Sequence, residues 1–180
     1  MLVWLCVAAG LLVGPAVAAE APRTLAQAQT GLTTAELVSA ILGYTAWIEP
    51  DRNGLLLCVS RGATDAEAIL AHAKLQRLRW PLSGRSIEPD EPPPTPCDVI
   101  IFEGWQALPQ RQALRSLAGR PVLSIGQGSE FCSDGGLFCL TPDSAGLRFE
   151  VNLDAVSRSG LRVHPQVLRL ARPRPQGVSG

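Results

Sequence analysis

The stretch Cys97-Asp98-Val99-Ile100-Ile101-Phe102, short and apolar apart from Asp98, reads as a buried strand. Two other runs match it. Leu55 to Val59, bounded by Gly54 and Gly62, is too short for a helix, and Pro121 to Ile125 is equally apolar. Helical signals lie between the three. Thr64-Asp65-Ala66-Glu67 has the capping-box pattern, in which a Thr hydroxyl and a Glu three residues on satisfy each other's free backbone amides, and Ile69, Leu70, Ala73 and Leu78 supply the apolar positions that follow. Pro109 suits the first turn of another helix, whose Ala113, Leu114 and Leu117 face inward before Gly119 ends it. Strands separated by helices form successive βαβ crossovers. The reading is therefore α/β: a mixed, largely parallel sheet with helices on both faces.

Further signals extend this core in both directions. Upstream, Thr33-Thr34-Ala35-Glu36 is a second capping box, and Leu37, Val38, Ile41, Leu42 and Thr45 give a helix with one inward face, continuing to Trp47 and the Glu49-Pro50 stop. Asp51-Arg52-Asn53-Gly54 reads as a turn. Ser83 to Ile87 reads as a short strand, and the five prolines between it and Cys97 make a rigid loop. Downstream, Leu137 to Leu140 and Leu147 to Asn152 flank a Pro/Asp/Gly turn. The alternation of the second segment predicts a hairpin at a half-exposed edge. A short helix from Leu153 to Ser159, an extended Leu161-Arg162-Val163 and a last helix opening at Pro165 complete a single domain over residues 32–172. Residues 20–31 read as a flexible lead-in and 173–180 as a disordered Pro/Gly tail.

Residues 1–19 carry no charged side chain, run through Leu2, Val3, Leu5, Val7, Leu11, Leu12 and Val13, and end in small residues at Ala16, Ala18 and Ala19. This is the pattern of a cleaved signal peptide, although its start lacks the usual Lys or Arg. The alternative is an uncleaved anchor, for which the apolar span is short. Cleavage after Ala18 or Ala19 removes Cys6 and leaves Cys58, Cys97, Cys132 and Cys139. An even count with one wide and one tight spacing reads as two disulfides in an oxidising compartment, although four cysteines allow three connectivities.

With sixteen basic and sixteen acidic side chains the formal charge is zero, and no basic run lies beside aromatic residues, which argues against a nucleic-acid partner. No second apolar stretch is long enough to span a bilayer, so the mature chain is not expected to insert directly into a membrane. Signals for chemistry are sparse. The two histidines, His72 and His164, accompany no Gly-x-Ser-x-Gly elbow, and His72 reads as an exposed helix side chain. Gly126-Gln127-Gly128 follows a strand as a phosphate loop would, but lacks the third glycine and the helix such a loop needs. Cys132 and Cys139 lack the further cysteines or histidine that would complete a four-ligand metal site. No catalytic residue, metal site or cofactor is expected.

The two cysteine pairs read differently. A Cys58–Cys97 bond would tie two core strands and close a long loop, worth about 4 kcal/mol in loop-closure entropy. It reads as structural. A Cys132–Cys139 bond would close a short Gly-rich loop that solvent reaches, worth about 2.5 kcal/mol, and reads as a switch or a local staple. Arg162 and His164 alternate along an extended segment, so both point to one side, near the free amides of the helix opening at Pro165. They are a candidate site for an anion or small polar ligand; the alternative is a solvated edge with a capping histidine. Phe131, Leu137, Phe138, Trp105 and Trp80 raise a partner interface near the Cys132 to Cys139 loop, against the alternative that most are core.

Gly146-Leu147-Arg148-Phe149-Glu150-Val151-Asn152-Leu153-Asp154-Ala155-Val156, Ser159-Gly160-Leu161-Arg162-Val163 and Val167-Leu168-Arg169-Leu170-Ala171 resemble the carboxy-terminal signature of the YfiR/HmsC family of periplasmic regulators. The Tyr44-Thr45-Ala46-Trp47 helix end, Leu56-Leu57-Cys58-Val59, Cys97 before an apolar strand and Pro121-Val122-Leu123 leading to a Gly-Gly segment fall in the family's order. The four cysteines fall at its spacing. Ile48-Glu49-Pro50 departs from it, since many members place Pro directly after Trp. The resemblance implies a non-catalytic repressor that binds the periplasmic part of an inner-membrane diguanylate cyclase, so that stress or redox change releases the cyclase. It also implies an outer-membrane lipoprotein that relieves repression, and a homodimer. A sensor module acting on another membrane partner, such as a histidine kinase, is the second reading, and a thiol or phosphate enzyme the third.

Overall fold

The computed structural model describes residues 32–48, 53–74, 78–143 and 146–170. The expected leader, lead-in and tail, and most of the turn after Trp47, lie outside the described residues, as does the side chain of His72.

The first helix, α1 (Thr34–Gly43), starts where its capping box places it. The Glu36 amide donates to Thr33 Oγ1 at 3.2 Å and the Thr33 amide to Glu36 Oε2 at 2.9 Å. The helix stops earlier than its apolar periodicity suggests. Thr45, read as a helical position, lies in a two-residue strand, β1 (Thr45–Ala46), and its hydroxyl turns back to donate to the Ile41 carbonyl at 2.9 Å. That bond satisfies one of the carbonyls that every helix end leaves open.

Strand β2 (Leu55–Ser60) leads to α2 (Ala66–Lys74) and then β3 (Leu82–Ile87), which pairs parallel with β2 over its whole length. The proline-rich loop crosses to β4 (Val99–Phe102), followed by α3 (Ala107–Leu117) and β5 (Leu123–Gln127). A five-residue helix, α4 (Ser129–Ser133), absent from the sequence reading, precedes β6 (Phe138–Asp143). That strand pairs parallel with β5 and antiparallel with β7 (Gly146–Val151), which closes the expected hairpin. Next come α5 (Leu153–Arg158) and β8 (Arg162–Val163), which pairs antiparallel with β1. The expected last helix is a single 3-10 turn, Pro165–Arg169.

The six-stranded sheet has the order β3-β2-β4-β5-β6-β7. The domain is α/β with a mostly parallel sheet. From β2 the chain steps to one edge through α2, then returns across β2 and proceeds the other way through α3 and α4. Crossovers of one hand running in opposite directions place their helices on opposite faces. The core divides accordingly. One face joins Leu57, Val59, Val99, Ile101 and Ile125 to Leu37, Val38, Ile41 and Leu42 of α1 and Ile69 of α2. The other joins Cys58, Ile100, Phe102 and Cys139 to Ala113, Leu114 and Leu117 of α3 and Phe131 of α4.

Candidate functional site

Both disulfides lie on the α3/α4 face. Cys58, in the middle of β2, is bonded to Cys97, two residues before β4, with Cα atoms 6.0 Å apart. Both cysteines are buried. The β3-to-β4 crossover has no helix of its own, and this bond fastens its end to the sheet. Cys132 of α4 is bonded to Cys139 of β6, Cα atoms 5.7 Å apart. Cys139 is fully buried and Cys132 half-buried, so solvent reaches one sulfur of that pair rather than an open loop.

The surroundings of α4 change two readings. Phe131, Leu137 and Phe138 are buried, so these three belong to the core and not to a partner surface; Trp105 and Trp80 are half-buried. The glycines Gly126 and Gly136 flank the Phe131 ring, and a Cβ at either would collide with it. A helix does follow Gly126-Gln127-Gly128, contrary to expectation, but this glycine pair serves packing and the turn: Gly126 admits the ring, and Gly128 takes φ 81° at the cap of α4. Asn152 then locks α4 to α5. Its Nδ2 donates to the Cys132 carbonyl at 2.7 Å while its Oδ1 accepts the Ala155 amide at 2.9 Å.

Sheets of this class bind ligands outside the carboxyl ends of strands where the chain reverses its direction of travel across the sheet, here β2 and β4. That crevice holds the protein's own side chains. Ser60 Oγ donates to the Ile101 carbonyl at 2.9 Å and accepts from Trp105 Nε1 at 2.7 Å and from the Glu103 amide at 3.3 Å. Its one donor and two acceptor positions are thereby used. The Glu103 carboxylate accepts from the Thr64 amide and hydroxyl, at 3.0 and 2.8 Å. The sequence reading missed this cluster, because it joins the end of β2 and the loop after it to the loop after β4, 39 residues away or more. Among the described residues no group of three or more His, Cys, Asp or Glu is placed to hold a metal ion.

Arg162 and His164 are brought together. Both line an open cavity of about 480 Å³ beside the paired strands β1 and β8, with Tyr44, Ala46 and Gln166. The His164 amide donates to the Tyr44 carbonyl at 2.8 Å, and its Nδ1 accepts the Gln166 amide at 3.2 Å. His164 therefore caps the 3-10 turn, and one of the amides expected to be free is already bonded.

These two places differ in kind, a crevice whose Ser60, Glu103 and Trp105 are bonded to the protein's own groups and an open cavity beside β8, and among the described residues neither assembles a nucleophile with a base. A family model described as YfiR/HmsC-like covers residues 33–172, from the cap of α1 to just past the 3-10 turn, and the chain belongs to that regulatory family.

Proposed function

We propose that this protein is a periplasmic repressor of an inner-membrane diguanylate cyclase, controlling cyclic di-GMP by binding the cyclase's periplasmic part. The observation that carries the reading is the family match over the whole described domain. Three features support it. Two disulfides suit an oxidising compartment. Among the described residues no helix is long and apolar enough to cross a membrane, which leaves the domain free to meet a partner from one side. At the crevice where a related sheet would take a substrate, Ser60 is engaged by the Trp105 side chain and the Glu103 amide. In this reading residues 1–19 direct export, an outer-membrane lipoprotein sequesters the repressor under envelope stress, and the protein acts as a homodimer. Cys132–Cys139, reached by solvent at Cys132, is the bond through which redox change acts.

Deleting the gene should raise cellular cyclic di-GMP severalfold, and restoring it on a plasmid should lower it again. An unchanged level in the deletion strain refutes the repressor role.

The cavity beside β8 favours a second reading, a sensor that binds a small anion through Arg162 and His164 and reports to another membrane protein such as a histidine kinase. Replacing both with Ala should abolish any melting shift produced by a carboxylate or phosphate; an unchanged shift removes the site.

A further inference from the structure

The sheet has two edges, β3 and β7, and they are built differently. β7 alternates along its length and presents Arg148 and Glu150 to solvent. Charges of this kind discourage the addition of another strand. β3, Leu-Ser-Gly-Arg-Ser-Ile, pairs with β2 over all six residues without a bulge, and Ser83, Gly84, Arg85 and Ser86 are exposed in succession. It contains no proline and one charge. A regular edge of small polar residues is a template for an incoming strand.

The bonds at its ends show which backbone groups are available. The Leu55 amide donates to the Pro81 carbonyl at 2.9 Å and the Arg61 amide to the Ile87 carbonyl at 2.6 Å. Direction alternates along a parallel ladder, so Ser83 and Arg85 also aim their backbone groups at β2. Leu82, Gly84 and Ser86 aim theirs away from it, and among the described residues no strand meets them. Arg85 makes no ion pair among the described residues. An edge whose one charge is an unpaired cation complements an extended segment that carries a carboxylate.

We propose that β3 accepts an extended acidic segment of the cyclase's periplasmic part as a seventh strand of the sheet, held by the outward backbone groups of Leu82, Gly84 and Ser86 and set in register by Arg85. The identity of the partner rests on the repressor reading above; the edge itself rests on the geometry. Ser86→Pro removes an outward amide and no bond of the β2–β3 ladder. Arg85→Glu reverses the charge at an exposed position.

The purified periplasmic domain of the cyclase is titrated against the wild-type protein and both variants, and amide exchange at Leu82, Gly84 and Ser86 is followed with and without it. Each variant should bind at least about tenfold more weakly at an unchanged melting temperature, the loss expected for one backbone bond or one charge-assisted contact. The three amides should exchange fast in the free protein and slowly in the complex. Tight binding by both variants overturns strand addition and leaves the repressor reading standing, whereas no binding by the wild type overturns both. Slow exchange in the free protein means that the chain covers its own edge, and protection that grows with protein concentration means that a second copy does. Either result refutes the proposal. Should Ser86→Pro fail to fold, Arg85→Glu and the exchange data decide.

Discussion

Phe131 is enclosed on two sides by backbone. Its ring is fully buried between Gly126 and Gly136 and stands 5.3 Å from Phe102, which in turn stands 4.8 Å from Trp105. One methyl at Gly126 has no room unless that ring moves, and moving it disturbs the two aromatic contacts behind it. Gly126→Ala should therefore cost about 1–3 kcal/mol, the usual penalty of overpacking. A lower urea midpoint at unchanged slope would show it. Phe131→Leu placed in the same chain should recover part of the loss. If it recovers none, the ring is not what excludes the methyl. In the sequence this glycine resembles a remnant of a phosphate loop, because spacing alone carries no trace of a side chain that reaches back from the next turn.

Among the elements, the two capping boxes separate local from distant control. At α1 the Thr and Glu are both within one turn, and the reciprocal bonds form as the pattern predicts. At α2 the same pattern yields a different structure. Thr64 is drawn to Glu103, which arrives on the loop after β4, and the helix begins at Ala66 with the Asp65 carbonyl accepting the Ile69 amide at 2.7 Å. A box is legible when both partners are local and fails when a carboxylate from another loop competes for the hydroxyl. Thr64→Ala should consequently cost about 1 kcal/mol, as loss of a cap or of a charge-assisted bond does, while Glu67→Ala should stay within about 0.5 kcal/mol. Equal losses for the two would restore the local box. Arg162 and Val163 read as extended in the sequence, but β1 and its pairing with β8 do not show there, for a related reason. A pair of residues carries no periodicity, and their pairing links positions more than a hundred residues apart.

At the scale of the whole molecule, the class, the parallel strands and the closing hairpin are legible because the central parallel strands β2, β4 and β5 are short apolar runs and the segments of α2 and α3 between them carry helix signals. Strand order is not, since nothing local says that β3 lies outside β2 and that β4 lies on its other side. That order explains why the Cys58–Cys97 bond should matter more to stability than Cys132–Cys139. The crossover from β3 to β4 must pass β2 without a helix to pack it down, and the bond closes 39 residues of separation with both sulfurs buried. Cys132–Cys139 closes only 7, and α4 is held by other means as well, through Phe131 and Asn152. Loop-closure entropy assigns about 4 kcal/mol to the first and about 2.5 kcal/mol to the second. Replacing each pair with Ser in separate proteins and comparing urea unfolding should therefore show the larger loss for Cys58 and Cys97. The reverse ranking would mean that α4, and not the proline-rich crossover, is the part of the fold that depends most on its covalent tie.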